Sequence, residues 1–214
     1  MGEAFLAVII GLPLTLAVTA VAFIVGAILG FPIMLGLQSR IAPLRWILKL
    51  IVDLIRAIPP IVWLFLIYFG VQFGEIRLDS FTAAVIGLGL IASAYLAEVY
   101  RGGYSTLPKG QNEAALALGL TRTTTFVQVL TPQAIKTVLP SMSTFLLALV
   151  KDSSIASTIG VMDMVFRANQ FARQNPDIPG LVPFLVAAAV YLIISIPIAI
   201  YARRLDAKLK GVGR

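Results

Sequence analysis

Three groups of residues in this chain have the types and spacing to do chemistry. Lys151 and Asp152, followed by Ser153, interrupt a stretch that otherwise runs apolar from Thr137 to Met162. A cation beside an anion at such depth can serve a carboxylate and an amino group of a bound solute, or can neutralise itself or end the stretch at a surface. Ser93, Tyr95 and Glu98 form a second polar strip, with Tyr95 and Glu98 on one helix face at i, i+3 and Arg101 placed to pair with Glu98. The third group is Glu113-Ala114-Ala115-Leu116 with Gly119, in a segment too polar to share the character of its flanks. The chain has no His and no Cys, which excludes imidazole-based triads, thiol nucleophiles and thiolate or imidazole metal sites. None of the lysines follows a glycine, so no phosphate-cradling loop of the Gly-Lys-Ser/Thr type is present. No catalytic residue and no metal site is expected.

The elements that must position these groups follow from composition. Of 214 residues 59% are hydrophobic and 13% charged, where a soluble domain carries roughly a quarter charged residues. With a mean hydropathy of +0.95, the chain reads as an all-α, polytopic membrane protein forming a single domain over 1–214. About 20 apolar residues make one span, and the uncharged windows predict about five transmembrane helices, near 12–37, 55–74, 80–100, 133–160 and 178–202. The uncharged run Ala4 to Gln38 is too long for one upright span, and Gly11-Leu12-Pro13 predicts a kink before the first. Gly26 and Gly30 form a GxxxG pair, read as ordinary helix packing. The first basic residue is Arg40, so the first segment is expected to be retained rather than cleaved.

Basic residues cluster after the first, third and fifth spans: Arg40, Arg45, Lys49 and Arg56; Arg101, Lys109, Arg122 and Lys136; Arg203, Arg204, Lys208, Lys210 and Arg214. Arg77, Lys151, Arg167 and Arg173 fall on the opposite side, offset by Glu75, Asp79, Asp152, Asp163 and Asp177. Cytoplasmic loops hold the excess of Lys and Arg, which puts the N-terminus outside and the C-terminus in the cytoplasm. Arg56, before Pro59-Pro60, reads as an interfacial anchor.

The loop at approximately 103–131 is long for so compact a chain. Asn112 is placed to cap a short helix starting at Glu113, whose carboxylate favours the positive helix end. Gly119 sits where a glycine of positive φ would end it. Thr121 can cap a second short helix, and Thr131-Pro132 reads as an N-cap and N1 pair opening the fourth span. The result is a rigid helix-turn-helix knob beneath the membrane.

Glu113-Ala114-Ala115, Gly119 and Pro132 resemble the EAA loop of binding-protein-dependent ABC importer permeases, with Thr131 standing where the family's pattern has Leu. Further blocks are similar to the polar amino-acid branch: Arg56-Ala57-Ile58-Pro59-Pro60, Tyr68-Phe69-Gly70, Ala94-Tyr95-Leu96-Ala97-Glu98 with Arg101-Gly102-Gly103, Pro108-Lys109-Gly110-Gln111, and Lys151-Asp152-Ser153-Ser154 with Ile159-Gly160. The resemblance implies a permease subunit, not an enzyme, working by alternating access in a dimer with a second copy or a sister subunit in a prokaryotic cell membrane. Glu113, Ala114, Ala115, Leu116 and Gly119 would form the coupling helix against a cytoplasmic ATPase. That partner would hold ATP-Mg, leaving no cofactor in this chain. An extracytoplasmic solute-binding protein would deliver a polar amino acid. Lys151, Asp152, Ser153, Ser93 and Tyr95 are the candidate solute contacts. The rival readings are a passive channel-type membrane protein and an ABC permease for another small solute. Nucleic acid is not an expected partner; the basic tail is topological or lipid-facing.

Overall fold

The computed structural model describes residues 2–73 and 76–211, so Gly74, Glu75 and Arg214 lie outside the described residues. Among the described residues ten α-helices run in the order α1 (Gly2–Ile9), α2 (Leu12–Leu37), α3 (Ala42–Ala57), α4 (Pro60–Gly70), α5 (Ser80–Ser105), α6 (Lys109–Ala117), α7 (Arg122–Thr124), α8 (Thr131–Asp152), α9 (Met164–Gln174) and α10 (Leu181–Gly211). A two-residue antiparallel ladder, β1 (Gln72–Phe73) with β2 (Ile76–Arg77), lies between α4 and α5. The protein is all-α in class, and among the described residues four helical stretches are long and apolar enough to cross a membrane, with a fifth if α3 and α4 count as one bent span.

The chain turns at Gly11, where the Gly11 amide closes a short turn on the Val8 carbonyl, and Pro13 near the start of α2 needs no intrahelical partner for its missing N–H. The centre of the molecule is the α2–α5 pair. Gly26 lies so close to Ala92 that a Cβ added there would sit 2.3 Å from the Ala92 Cβ, and Tyr100 donates to the Ala27 carbonyl at 3.2 Å. Small residues let the two backbones approach, and dispersion between them replaces the hydrophobic drive that lipid does not supply. Leu64, Leu88 and Leu149 complete this core; a second, smaller one gathers Val8, Met164, Ala168, Ala187 and Val190 from α1, α9 and α10.

Three expected spans take a different form. Over 55–74 the helix is broken: α3 ends at Ala57, Ile58 and Pro59 are extended, and α4 leaves at 100°. The cause is the Pro59-Pro60 pair, because a residue before proline is driven out of the helical region. Alone, α4 has 11 residues, about 16 Å, against about 30 Å of hydrocarbon. Over 133–160 the α-helix gives way to a 3₁₀ segment at Ser153–Ile159, where Ser153, Ser154, Ser157 and Thr158 each donate to the carbonyl three residues back. The last helix runs beyond Ala202 to Gly211, keeping its basic end helical.

Candidate functional site

The polar loop folds into a knob whose ends are fixed by capping. Helix α6 begins at Lys109, with Pro108 as its extended N-cap. Asn112 and Glu113 therefore lie inside the helix; the expected cap at Asn112 and helix start at Glu113 are corrected by four residues, because proline's fixed φ already sets the entry. The exit is a Schellman motif: the Gly119 amide donates to Leu116 at 3.0 Å, the Leu120 amide to Ala115 at 3.1 Å, and Gly119 has φ +79°. Thr121 then caps α7, its hydroxyl accepting from the Thr124 amide at 3.2 Å.

Thr131 is no N-cap. It is helical itself, and the chain passes through a π-helical turn, Thr125–Leu130, straight into α8. Pro132 has no amide for the Gln128 carbonyl and its ring crowds it, and a π turn is a standard relief of that strain. The Thr131 hydroxyl donates to the Phe126 carbonyl at 2.7 Å and meets the Tyr104 hydroxyl at 2.5 Å, while the Tyr104 and Phe126 rings stack at 5.1 Å. Gln133 also donates to Gln111 at 3.2 Å. The knob is thus tied to the ends of both α5 and α8. Within α6 only Ala115 is buried; Glu113, Ala114 and Leu116 are exposed, and Leu118 at the exit is 82% exposed. Such a rigid helix with an open apolar and acidic face can transmit a push from a protein bound below it to two long helices.

A second locus lies higher in the bundle, where the candidate solute contacts separate. Tyr95 stacks on Phe145 of α8 at 5.3 Å, and the Arg56 guanidinium sits 4.8 Å above the Tyr95 ring, a favourable placement for a cation. Asp152 follows Phe145 by seven residues in α8 and so shares its face. Lys151, one residue earlier, is turned about 100° away and lines an open cleft with Phe184 and Tyr191 instead. Lys151 and Asp152 make no ion pair with each other. Ser93 is buried with its hydroxyl on the Leu90 carbonyl at 2.7 Å, and Ser153 is buried with its hydroxyl on Val150 at 2.8 Å. The structure therefore brings Tyr95 together with Arg56 and Phe145, sets Asp152 on the same side, and leaves Ser93, Ser153 and Lys151 elsewhere. Arg56, read from the sequence as an anchor, belongs to this locus; the signal was its place three residues before the helix-breaking Pro59-Pro60 pair. Glu98 pairs with Arg101, the Arg101 Nε lying 3.0 Å from its carboxylate.

Two carboxylates outside the spans show opposite electrostatics. Asp79 caps α5, and the hydroxyl and amide of Thr82 hold its carboxyl below the usual range. Asp163 caps α9 by accepting from the Phe166 amide at 2.8 Å. It is 1% exposed, its Oδ2 has no partner, and desolvation pushes its pKa up to about 6.

The described residues form a helical bundle with several helices long and apolar enough to cross a membrane and a capped, rigid knob at one end. The chain belongs to the family of binding-protein-dependent transport system inner membrane components, whose profile matches residues 22–211. Its relatives include the probable amino-acid ABC transporter permease YckA of Bacillus subtilis strain 168, 35% identical over 96% of this chain and 90% of the relative. The L-cystine transport system permease TcyB of the same organism is 35% identical over 92% and 85%, and its arginine transport system permease ArtQ is 33% identical over 94% and 91%. Among solved structures, a chain of an amino acid ABC transporter superposes with a TM-score of 0.88 at 31% identity, covering 97% of this chain and 96% of the other. A chain of the MetNI methionine ABC transporter shares the fold, with a TM-score of 0.78 at 23% identity over 97% and 98%. Members of this family are permease subunits and not enzymes; ATP is hydrolysed by separate subunits.

Proposed function

We propose that this chain is the membrane-spanning subunit of an ATP-driven importer of polar amino acids, working by alternating access as a dimer. The N-terminus is outside, and an extracytoplasmic binding protein delivers the solute. The observation that carries the coupling reading is the α6 knob, closed by the Schellman turn at Gly119 and tied to α5 and α8 through Tyr104, Phe126 and Thr131. Glu113, Ala114, Ala115 and Leu116 form the face that docks on the ATPase, which holds the ATP-Mg. The names of the relatives support an amino acid as the cargo.

For the solute, the line of Arg56, Tyr95, Phe145 and Asp152 favours a zwitterion. Arg56 takes the carboxylate by a forked, charge-assisted pair, and Asp152 takes the ammonium group. Lys151 keeps a secondary place at the α10 cleft. The test is reconstitution of the chain with its neighbouring ATPase and binding protein, followed by uptake of a panel of labelled amino acids. ATP-dependent accumulation against a gradient supports the importer; equilibration without ATP supports a passive channel. In the same vesicles, Asp152→Asn should lower uptake of ammonium-bearing solutes with folding intact. Rescue of both stability and transport by a double Lys151→Gln, Asp152→Asn change would remove both residues from the solute site.

A further inference from the structure

Helix α3 carries three distinct sectors. Leu48, Val52 and Ile55 face the bundle, where Leu48 packs over Gly36. Arg45, Lys49, Asp53 and Arg56 follow one another along the adjoining sector at spacings of four, four and three. The remaining sector is apolar and exposed: Trp46 at 65%, with Ile47, Leu50, Ile51 and Leu54. Beside the start of this helix lies an open cleft of about 310 Å³ lined by Arg45, Trp46, Lys49, Leu37, Glu98 and Arg101. Glu98 is held by Arg101, and Arg101 also feels the Asp53 carboxylate. Among the described residues, Arg45 makes only a long bond to the Ser39 carbonyl, 3.4 Å, and Lys49 has no carboxylate within ion-pair distance. The cleft is thus cationic on one wall and aromatic on the other. It sits at the end of α5 from which the knob hangs, and α3 departs from the α4 axis by 100°.

We infer that α3 and this cleft bind an anionic phospholipid, with the phosphate between Arg45 and Lys49 and the acyl chains along Trp46, Leu50 and Leu54. An acidic lipid presents a phosphate and hydrocarbon in one molecule, in the order the two sectors require. A second copy does not match this surface, because a two-fold pairing through α3 would set two cationic stripes against each other. The inference rests on the membrane location of the bundle and not on the transport reading, so either can fail without the other.

The test uses the full chain with Trp63→Phe, which leaves Trp46 as the one tryptophan. Quenching of Trp46 is followed with brominated phosphatidylglycerol and, separately, brominated phosphatidylcholine of the same acyl chains at constant total lipid. Half-quenching is expected at a several-fold lower mole fraction of the phosphatidylglycerol. Arg45→Gln and Lys49→Gln should each weaken that preference about fivefold, the contribution of one cation near an anionic surface. Millimolar inorganic phosphate should leave the preference unchanged. Equal midpoints for the two lipids in the unaltered helix would overturn the inference, whether or not the charge variants fold. Relief of the preference by inorganic phosphate would mark a free-anion site instead. Absence of quenching by either lipid would mean that protein covers this face.

Discussion

The α2–α5 interface and the α6 knob are built on opposite terms. In the first, Gly26, Gly30 and Gly89 bring two long helices into backbone contact; a Cβ at Gly26 would meet Ala92, and one at Gly30 would lie 3.0 Å from the Ser93 carbonyl. In the second, one residue of nine is buried, and a Cβ at Gly119 would touch nothing within 4 Å. The interface is fixed by packing; the knob is fixed by caps at its two ends and by a few bonds to its neighbours. Substitutions in the first should therefore remove the fold and the function together, whereas substitutions in the second should remove function alone.

The largest effect is expected at Gly26→Val. Two methyl groups have no room against Ala92, and overpacking of this kind costs about 1–3 kcal/mol or more. The thermal midpoint of the purified chain should fall, and yield, uptake and stimulated ATP hydrolysis should fall with it. An unchanged midpoint would mean that the two helices separate without cost, and the contrast with the knob would disappear.

Asp163→Asn sharpens the comparison from inside the packed part. The carboxyl has a folded pKa of about 6 against an ordinary 3.8, so the fold retains this proton more tightly than the unfolded chain does. Its stabilising contribution is complete below about 3.8 and is lost as pH rises through about 6. The Asn variant keeps the N-cap role without the charge. It should match the unaltered protein near pH 4 and exceed it near pH 8, by up to about 3 kcal/mol. Thermal unfolding across that range reads the difference; parallel curves would show that Asp163 is solvated through Tyr191, Arg167 or water.

The smallest effect on stability belongs to Glu113→Lys. Glu113 is exposed in mid-helix, and exposed substitutions usually move stability by no more than about 0.5 kcal/mol. Its expected consequence is weaker association with the ATPase, seen as loss of co-purification with solute affinity unchanged. A change in solute affinity with normal association would place Glu113 in the transport path and break the division between the two regions.

What could be read from the residues divides along similar lines. The Gly119 turn and the Thr121 cap were legible because each depends on a residue type with a local reason: positive φ for one, a side-chain acceptor for the other. The kink before Leu12 was legible for the same reason. Asn112 and Thr131 misled because each has a cap's chemistry without its geometry, Pro108 having started α6 earlier and the π turn having carried the helix through Pro132. The separation of Lys151 from Asp152 follows from 100° per residue once the helix is known to be unbroken there. The pairing of Arg56 with Tyr95 is different in kind, since it depends on the angle that Pro59-Pro60 imposes between α3 and α4. Local pattern does not specify that angle, and the burial of Asp163 was hidden for the same reason, because the Gly11 turn before α2 and Tyr191 of α10, both distant in sequence, lie against it.

The central claim, that a rigid knob couples ATP hydrolysis to amino-acid import, is tested most directly by Gly119→Val in vesicles holding the permease, its ATPase and its binding protein. A β-branched side chain is strained at φ +79°, and because it meets no neighbouring atom and α6 buries only Ala115, the strain is relieved by opening the exit turn of the knob and leaves the packing of the bundle unchanged. Solute-stimulated hydrolysis and labelled amino-acid accumulation, measured in the same preparation, should both fall well below the unaltered level while the thermal midpoint holds. Hydrolysis and accumulation both at the unaltered level would contradict the account.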